Sequence, residues 1–237
     1  MKIRVVPEAR SLVPDTVEGS TVVVIDTLRA TTTIACAVAL GISVETVASI
    51  AEAKRRRGPR VLIAGERGGK KLPGFDLGNS PVDVVDAARG TLVGKRLVLT
   101  TTNGTGAIAR SAAARAIYVG ALVNASAIAR AVANDESLVL LCAGRTTGVA
   151  LEDLLGAGAI IAALPAGCFD EAQLSDGARL SLDLFRRSKT RLPAFLRECE
   201  SGRNLLRMGA TADVALCAEL DRNAVAPRLL RGRFSPT

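Results

Sequence analysis

Along the 237-residue chain, short runs of β-branched and aliphatic residues alternate with longer stretches of helical periodicity, and four of the runs end in polar clusters. Val22 to Ile25 gives way to Asp26-Thr27-Leu28-Arg29-Ala30-Thr31-Thr32-Thr33, and Arg60 to Ala64 gives way to Gly65-Glu66-Arg67-Gly68-Gly69-Lys70-Lys71. Leu97 to Leu99 leads into Thr100-Thr101-Thr102-Asn103-Gly104-Thr105-Gly106, and Leu138 to Leu141 into Cys142-Ala143-Gly144-Arg145, with Glu152 and Asp153 beyond. Runs of this kind, followed by glycine and then helical pattern, read as buried parallel strands. Open α/β sheets bind ligands outside the carboxyl ends of their strands, so four clusters of acid, arginine, threonine and amide are expected at one edge.

The pattern predicts strands near 2–6, 21–26, 43–47, 60–64, 96–101, 116–119 and 137–142, with helices filling most gaps. Beyond about residue 150 it predicts helices near 150–164, 170–187, 191–207 and 211–220, and a last strand at 224–229. Such alternation implies a three-layer α/β/α sandwich with a mainly parallel sheet. Asp26-x-x-Arg29-Ala30-Thr31-Thr32-Thr33-Ile34-Ala35 is weakly echoed by Thr102-Asn103-Gly104-Thr105-Gly106-Ala107-Ile108-Ala109, as two fused halves facing one cleft would be. The chain reads as one unit over 1–237, without a Pro/Ser-rich linker, and halves at 1–95 and 96–237 are the division the echo suggests.

Composition narrows the partners. An aromatic content of 3% with no Trp, against 49% hydrophobic residues, leaves no stacking platform for single-stranded nucleic acid. The net charge of +8 comes largely from local runs, Lys54 to Arg57, Arg186 to Lys189 and Arg228 to Arg233, which read as solvated faces or tails. A small anion is therefore the preferred ligand over nucleic acid. Five cysteines, widely spaced among apolar neighbours and without a C-x-x-C pair, fit a reducing cytoplasm. No apolar stretch reaches the roughly 20 residues of a membrane span. The Ala- and Leu-rich segment at 150–164 suits a second subunit as well as the sheet, so a homo-oligomer stays open.

Each candidate residue has an ordinary explanation beside the functional one. Asp26 follows four apolar residues, where a carboxylate is costly unless paired, hydrogen-bonded or bound to metal; it could equally cap a helix or pair with Arg29. Thr31, Thr32 and Thr33 open a helix whose free N–H groups and hydroxyls could hold phosphate, although a plain cap needs only one of them. The Gly65 to Lys71 cluster is not a P-loop, since Ala64 and Lys71 stand where Gly and Ser or Thr are required. It could still wrap an anion through Arg67 and Lys70, with Glu66 as base or metal ligand, or be an exposed basic loop. Asp76 and Asn79, in a turn-rich stretch before a helix start at Ser80-Pro81, rank second. Asn103, Gly104 and Thr105 open another helix, and Arg145 offers a bidentate fork for an anion. Glu152 and Asp153 fall in a first helical turn, where the dipole favours acids in any case.

Absences cut further. Without histidine there is no Ser-His-Asp triad, phosphohistidine or His-ligated zinc, and no cysteine precedes arginine by six positions. Asp26-Thr27-Leu28 lacks the second Asp of a D-x-D signature. Carboxylates, hydroxyls and cations remain, a set suited to Mg²⁺ with oxygen ligands. From the residues alone, an anion sensor without turnover and a basic nucleic-acid-binding protein are the rivals of an enzyme.

At these clusters the chain resembles the 2-phosphosulfolactate phosphatase family, Mg²⁺-dependent hydrolases associated with coenzyme M biosynthesis. The resemblance rests on Asp26 to Thr33, Gly65 to Pro81, Thr101 to Thr105, Cys142 to Arg145 with Leu151-Glu152-Asp153, and Gly209, Asp213, Cys217, Asp221 and Pro227. It implies release of 3-sulfolactate and phosphate, in a fold of two related α/β parts with the active site between them. Another small phosphorylated acid is the alternative substrate. On this reading Mg²⁺ sits on Asp26 with Glu66 or Asp153, Arg29 and the Thr31 to Thr33 helix end stabilise the transition state, and Arg145, Arg67 and Lys70 take the other anions. Attack by Asp26 itself and by a water on Glu66 or Glu152 are both open. Ala150 stands where a serine is expected, which puts one hydroxyl near the substrate in doubt.

Overall fold

The computed structural model of the chain describes residues 1–90, 92 and 94–236. Within them the aliphatic runs become strands β1 (Lys2–Val6), β2 (Thr21–Ile25), β3 (Val44–Thr46), β4 (Val61–Arg67), β5 (Lys70–Lys71), β6 (Arg96–Thr100), β7 (Ala116–Gly120), β8 (Ser137–Cys142), β9 (Arg228–Leu230) and β10 (Arg233–Ser235). They join in one sheet of order β1-β8-β2-β7-β9-β10-β3-β6-β4-β5. Two parallel groups, β1-β8-β2-β7 and β3-β6-β4, make up most of it. The antiparallel β9-β10 hairpin lies between them, tied to each by one pair, Tyr118 to Arg228 and Phe234 to Val44.

Helices fill the connections: α1 (Ala30–Ala39), α2 (Ile50–Arg55), α3 (Pro81–Ala88), α4 (Gly104–Arg110), α5 (Ala125–Val132), α6 (Leu151–Ala162), α7 (Asp176–Ser188), α8 (Leu192–Glu198), α9 (Glu200–Arg207) and α10 (Thr211–Cys217). The central strand β2 explains the layering, because successive side chains point to opposite faces. Val23 and Ile25 join a core with Ile128 of α5, Leu155 of α6 and Leu182 of α7. Val22 and Val24 join a second core with Ile34 and Val38 of α1 and Ile108 of α4. The result is a three-layer α/β/α arrangement, and it explains why β2 reads as an unbroken apolar run: both faces are covered. The apolar segment at 150–164 is used within the chain, packed on the sheet and against α7. Among the described residues, no helix is long and apolar enough to cross a membrane.

Four departures from the sequence pattern bear on function. The Gly65 to Lys71 cluster is a hairpin, not a loop: β4 runs on through Glu66 and Arg67, and Gly68 and Gly69, at φ of 59° and 83°, turn the chain into β5. Two successive positive φ values are what a tight type I′ turn needs, and glycine adopts them without strain. The helix expected over 170–187 begins only at Asp176, capped by Ser175. The helix expected over 191–207 divides at Cys199, an extended residue whose Sγ caps α9 by accepting from Gly202 N at 3.4 Å. Finally, Arg228 to Arg233 is solvated from Leu230 onward but no free tail: it forms most of the β9-β10 hairpin, anchored by the fully buried Phe234.

Candidate active site

The tip of β2 meets the start of α1 at Asp26, and here the carboxylate does cap a helix: Oδ1 accepts from Ala30 N at 3.2 Å. Oδ2 accepts no hydrogen bond among the described residues. A Cβ built on Gly104 would stand 2.7 Å from that oxygen, so the β6–α4 junction reaches Asp26 only because residue 104 has no side chain. The three threonines behave differently. Thr31 Oγ1 accepts from Asp26 N at 2.9 Å and donates to Asp26 O and Gly120 O, while Thr32 Oγ1 donates to Thr27 O at 2.9 Å. Thr33 Oγ1 donates to Asn79 O at 3.4 Å. All three are fully buried and none lines the cavity described next.

A cavity of about 250 Å³ opens where the carboxyl ends of β2, β4, β6 and β8 converge. Asp26, Arg29, Glu66, Asn103, Arg145, Glu152 and Asp153 all line it. Two of the acids hold loops in place. Glu66 Oε2 accepts from Gly69 N at 2.6 Å and Oε1 from Thr102 N at 2.7 Å and Thr102 Oγ1 at 2.9 Å, joining the β4-β5 turn to the β6–α4 connection. Asp153 Oδ1 accepts from Thr27 N at 2.8 Å and Oδ2 from Gly144 N at 3.0 Å, joining the loops after β2 and β8. Glu152 is buried, and burial first, then the charge of Glu152, pushes the Cys199 thiol above its ordinary range; the thiol itself donates to Leu196 O at 3.0 Å.

The cations divide as sharply. Arg29 does not pair with Asp26; its Nη1 donates to Asp213 Oδ2 at 2.5 Å and its Nη2 to Gly69 O at 2.9 Å. Asp213 in turn accepts from Ser80 Oγ at 2.6 Å through Oδ1. Arg145 reaches α9, donating to Ser201 Oγ at 2.8 Å and Glu200 Oε1 at 2.6 Å, while its buried Nε finds no partner. Arg67 turns away from the cavity to Glu66 O and Thr100 Oγ1. Lys70 lies outside as well, in a neighbouring cleft with Lys71 and Arg207. Thr105 is spent on reciprocal hydrogen bonds with Thr101. Ala150 lines the cavity at the N-cap of α6, where no side chain caps the helix.

Sequence reasoning alone did not single out Ser201, Asn204, Leu205 and Met208, which close the cavity from α9 and its C-cap. Their spacing marks one helix face, but nothing in those residue types announces chemistry. Asp213 carried only a family resemblance, since its partner is 184 residues away in the chain.

Four carboxylates in one cavity repel one another. Loss of solvent, reinforced by Glu66 and Glu152, raises Asp26 to about 6 against the pull of the Ala30 amide and Arg29. Burial first, then Asp26 and Glu152, drives Asp153 well above the usual carboxylate range, despite its two amide donors. Such a site is short of positive charge. Among the described residues, no three of these side chains converge as a ready metal shell. Mg²⁺ asks for less: one or two carboxylates suffice when water and substrate phosphate supply the remaining oxygens. An oxygen-only donor set with a partnerless Asp26 Oδ2 fits that ion.

A family described as 2-phosphosulpholactate phosphatase matches residues 7–232. A protein of Deinococcus radiodurans named probable 2-phosphosulfolactate phosphatase is 41% identical over 243 residues, covering 100% of this chain and 96% of its own length. Proteins of the same name from Pseudothermotoga lettingae and Carboxydothermus hydrogenoformans are 37% and 39% identical, covering 90% and 92% of this chain and 90% of their own lengths. The chain belongs to the 2-phosphosulpholactate phosphatase family.

Proposed function

We propose that this protein hydrolyses 2-phosphosulfolactate to 3-sulfolactate and phosphate, using Mg²⁺. The observation that carries the reading is the meeting of four carboxylates with Arg29 and Arg145 in one cavity at the strand ends. A substrate with phosphate, carboxylate and sulfonate needs its charge divided among several holders before attack on phosphorus.

Asp26, through Oδ2, and Glu152 would hold the metal, because main-chain amides already occupy both oxygens of Glu66 and Asp153. When bound, the ion neutralises charge on the phosphoryl oxygens and polarises the phosphorus. Arg29 has N–H donors beyond the two that Asp213 and Gly69 use, and these stabilise the charge that grows as the ester bond breaks. Arg145, whose Nε is buried and unpaired, takes one of the remaining anions. Glu66 and Asp153 keep all four strand-end loops in register around the reacting group. Leu205 and Met208 form an apolar wall that limits water.

The test is phosphate release from a panel of small phosphorylated acids, 2-phosphosulfolactate among them, with Mg²⁺ and with excess EDTA. Mg²⁺-dependent release fastest from 2-phosphosulfolactate is the expected result. Release that persists in EDTA removes the metal from the reading, and a stronger preference for another acid replaces the substrate.

A further inference from the structure

Most buried polar atoms near the cavity are spoken for, but besides Arg145 Nε the Asn79 side chain is not. Asn79 is 5% exposed and lines the cavity, yet its Oδ1 is buried without a hydrogen-bond partner. A buried amide left in this state costs stability, and folded proteins rarely keep one without a use. Its backbone is firmly placed on both sides. Asn79 O accepts from Thr33 Oγ1, and the next residue, Ser80, caps α3 through Asp83 N and donates to Asp213. The same Asp213 holds Arg29.

Position then suggests what the amide meets. Asn79, Arg29, Gly69 and Met208 line both the catalytic cavity and the adjoining cleft that contains Lys70, Lys71 and Arg207, along with Asp83 and Asp213. Asn79 therefore stands at the junction of the two, on the side away from Asp153 and Arg145. With the phosphoryl group among the carboxylates, an acid group of the substrate extends toward that junction. We propose that Asn79 is a specificity-determining residue whose side-chain amide hydrogen-bonds an anionic oxygen on the non-transferred, acidic part of the substrate. This rests on the phosphatase reading above and extends it to a residue outside the acid and arginine set. Which amide atom is N and which is O is interchangeable by a flip, so donation to an anion is open to it.

The experiment compares wild type with Asn79→Ala and the isosteric Asn79→Asp. It reads KM and kcat for 2-phosphosulfolactate with Mg²⁺, and the inhibition constants of the two products, 3-sulfolactate and inorganic phosphate. Loss of one hydrogen bond to a charged group raises KM and the 3-sulfolactate constant about tenfold in Asn79→Ala, with kcat changed less than about threefold. Asn79→Asp, which sets a carboxylate against the anion, raises both further. The phosphate constant stays near wild type in both variants, and the melting temperature of Asn79→Ala does not fall by more than a few degrees, because the side chain has no protein partner to lose. Unchanged KM and 3-sulfolactate constants in both variants of an active enzyme overturn the assignment alone. A rise confined to phosphate overturns it too, moving Asn79 to the transferred group. A wild type that releases no phosphate overturns the phosphatase reading, and this assignment with it.

Discussion

Two sets of polar side chains sit around the start of α1 and put their polar atoms to opposite use. Thr31, Thr32 and Thr33 spend their hydroxyls on backbone groups. Asp26, one turn earlier, keeps an oxygen without a protein partner, and Asn79, beside Thr33, keeps its Oδ1 in the same state. The threonines are the chain's own helix-terminus chemistry; the acid and the amide are left over by the fold. In a folded interior, a polar atom that the fold could satisfy and does not is the better guide to ligand contact.

The comparison breaks first at Asp26. Asp26→Asn is expected to lower kcat by about a thousandfold or more while leaving the melting temperature equal to or above wild type, since it removes one of four mutually repelling acids. Near-normal turnover, or a collapsed melting temperature, would move Asp26 to the threonines' side of the contrast. Asp213→Ala tests the buried scaffold: it strands Arg29 without its carboxylate and is expected to cost about 3–5 kcal/mol in urea unfolding, with a fall in kcat. A variant of unchanged stability would mean that Arg29 finds another partner. Thr32→Val is the converse control, expected to cost about 1–2 kcal/mol in the same unfolding measurement with kcat/KM within about threefold of wild type. A large kinetic loss without destabilisation would return the threonines to anion binding.

The smallest effect is on pH. In EDTA, the folded protein holds a proton on Asp26 up to about pH 6, whereas the unfolded chain releases it near the ordinary value of 3.8. Between those values the native state binds more protons, so stability of the metal-free protein falls as pH rises through that window. Denaturant midpoints measured from pH 4 to 7 read this directly, and Mg²⁺ is expected to flatten the decline. A midpoint that climbs with pH in EDTA would contradict the carboxylate crowding.

Much of the fold could be read along the chain because each signal is local. β2 announces itself by four adjacent apolar residues, and α3 by Ser80-Pro81, where Ser80 accepts from Asp83 N at 3.0 Å. The C-terminal hairpin was harder, because Arg228 to Arg233 has the composition of a solvated run and its pairing into the sheet depends on Phe234 finding Val44. The break at Cys199 was hidden for a similar reason: the apolar period continues through it, and only the cap on Gly202 N reveals two helices.

For the site, the sequence by itself determined which chemistry is available: acids, arginines and amides at four strand ends, with no histidine anywhere. It also placed Asp26, Arg145 and Asp153 just past strands or at a helix start, as strand length and periodicity dictate. Only the tertiary structure decided which of those groups remain free. Asp153 is taken by Thr27 N from 126 residues away and Arg29 by Asp213 from 184, while Asn79 Oδ1 is left with nothing. Periodicity reports neighbours in the chain, whereas hydrogen-bond satisfaction is settled between segments that meet only after folding.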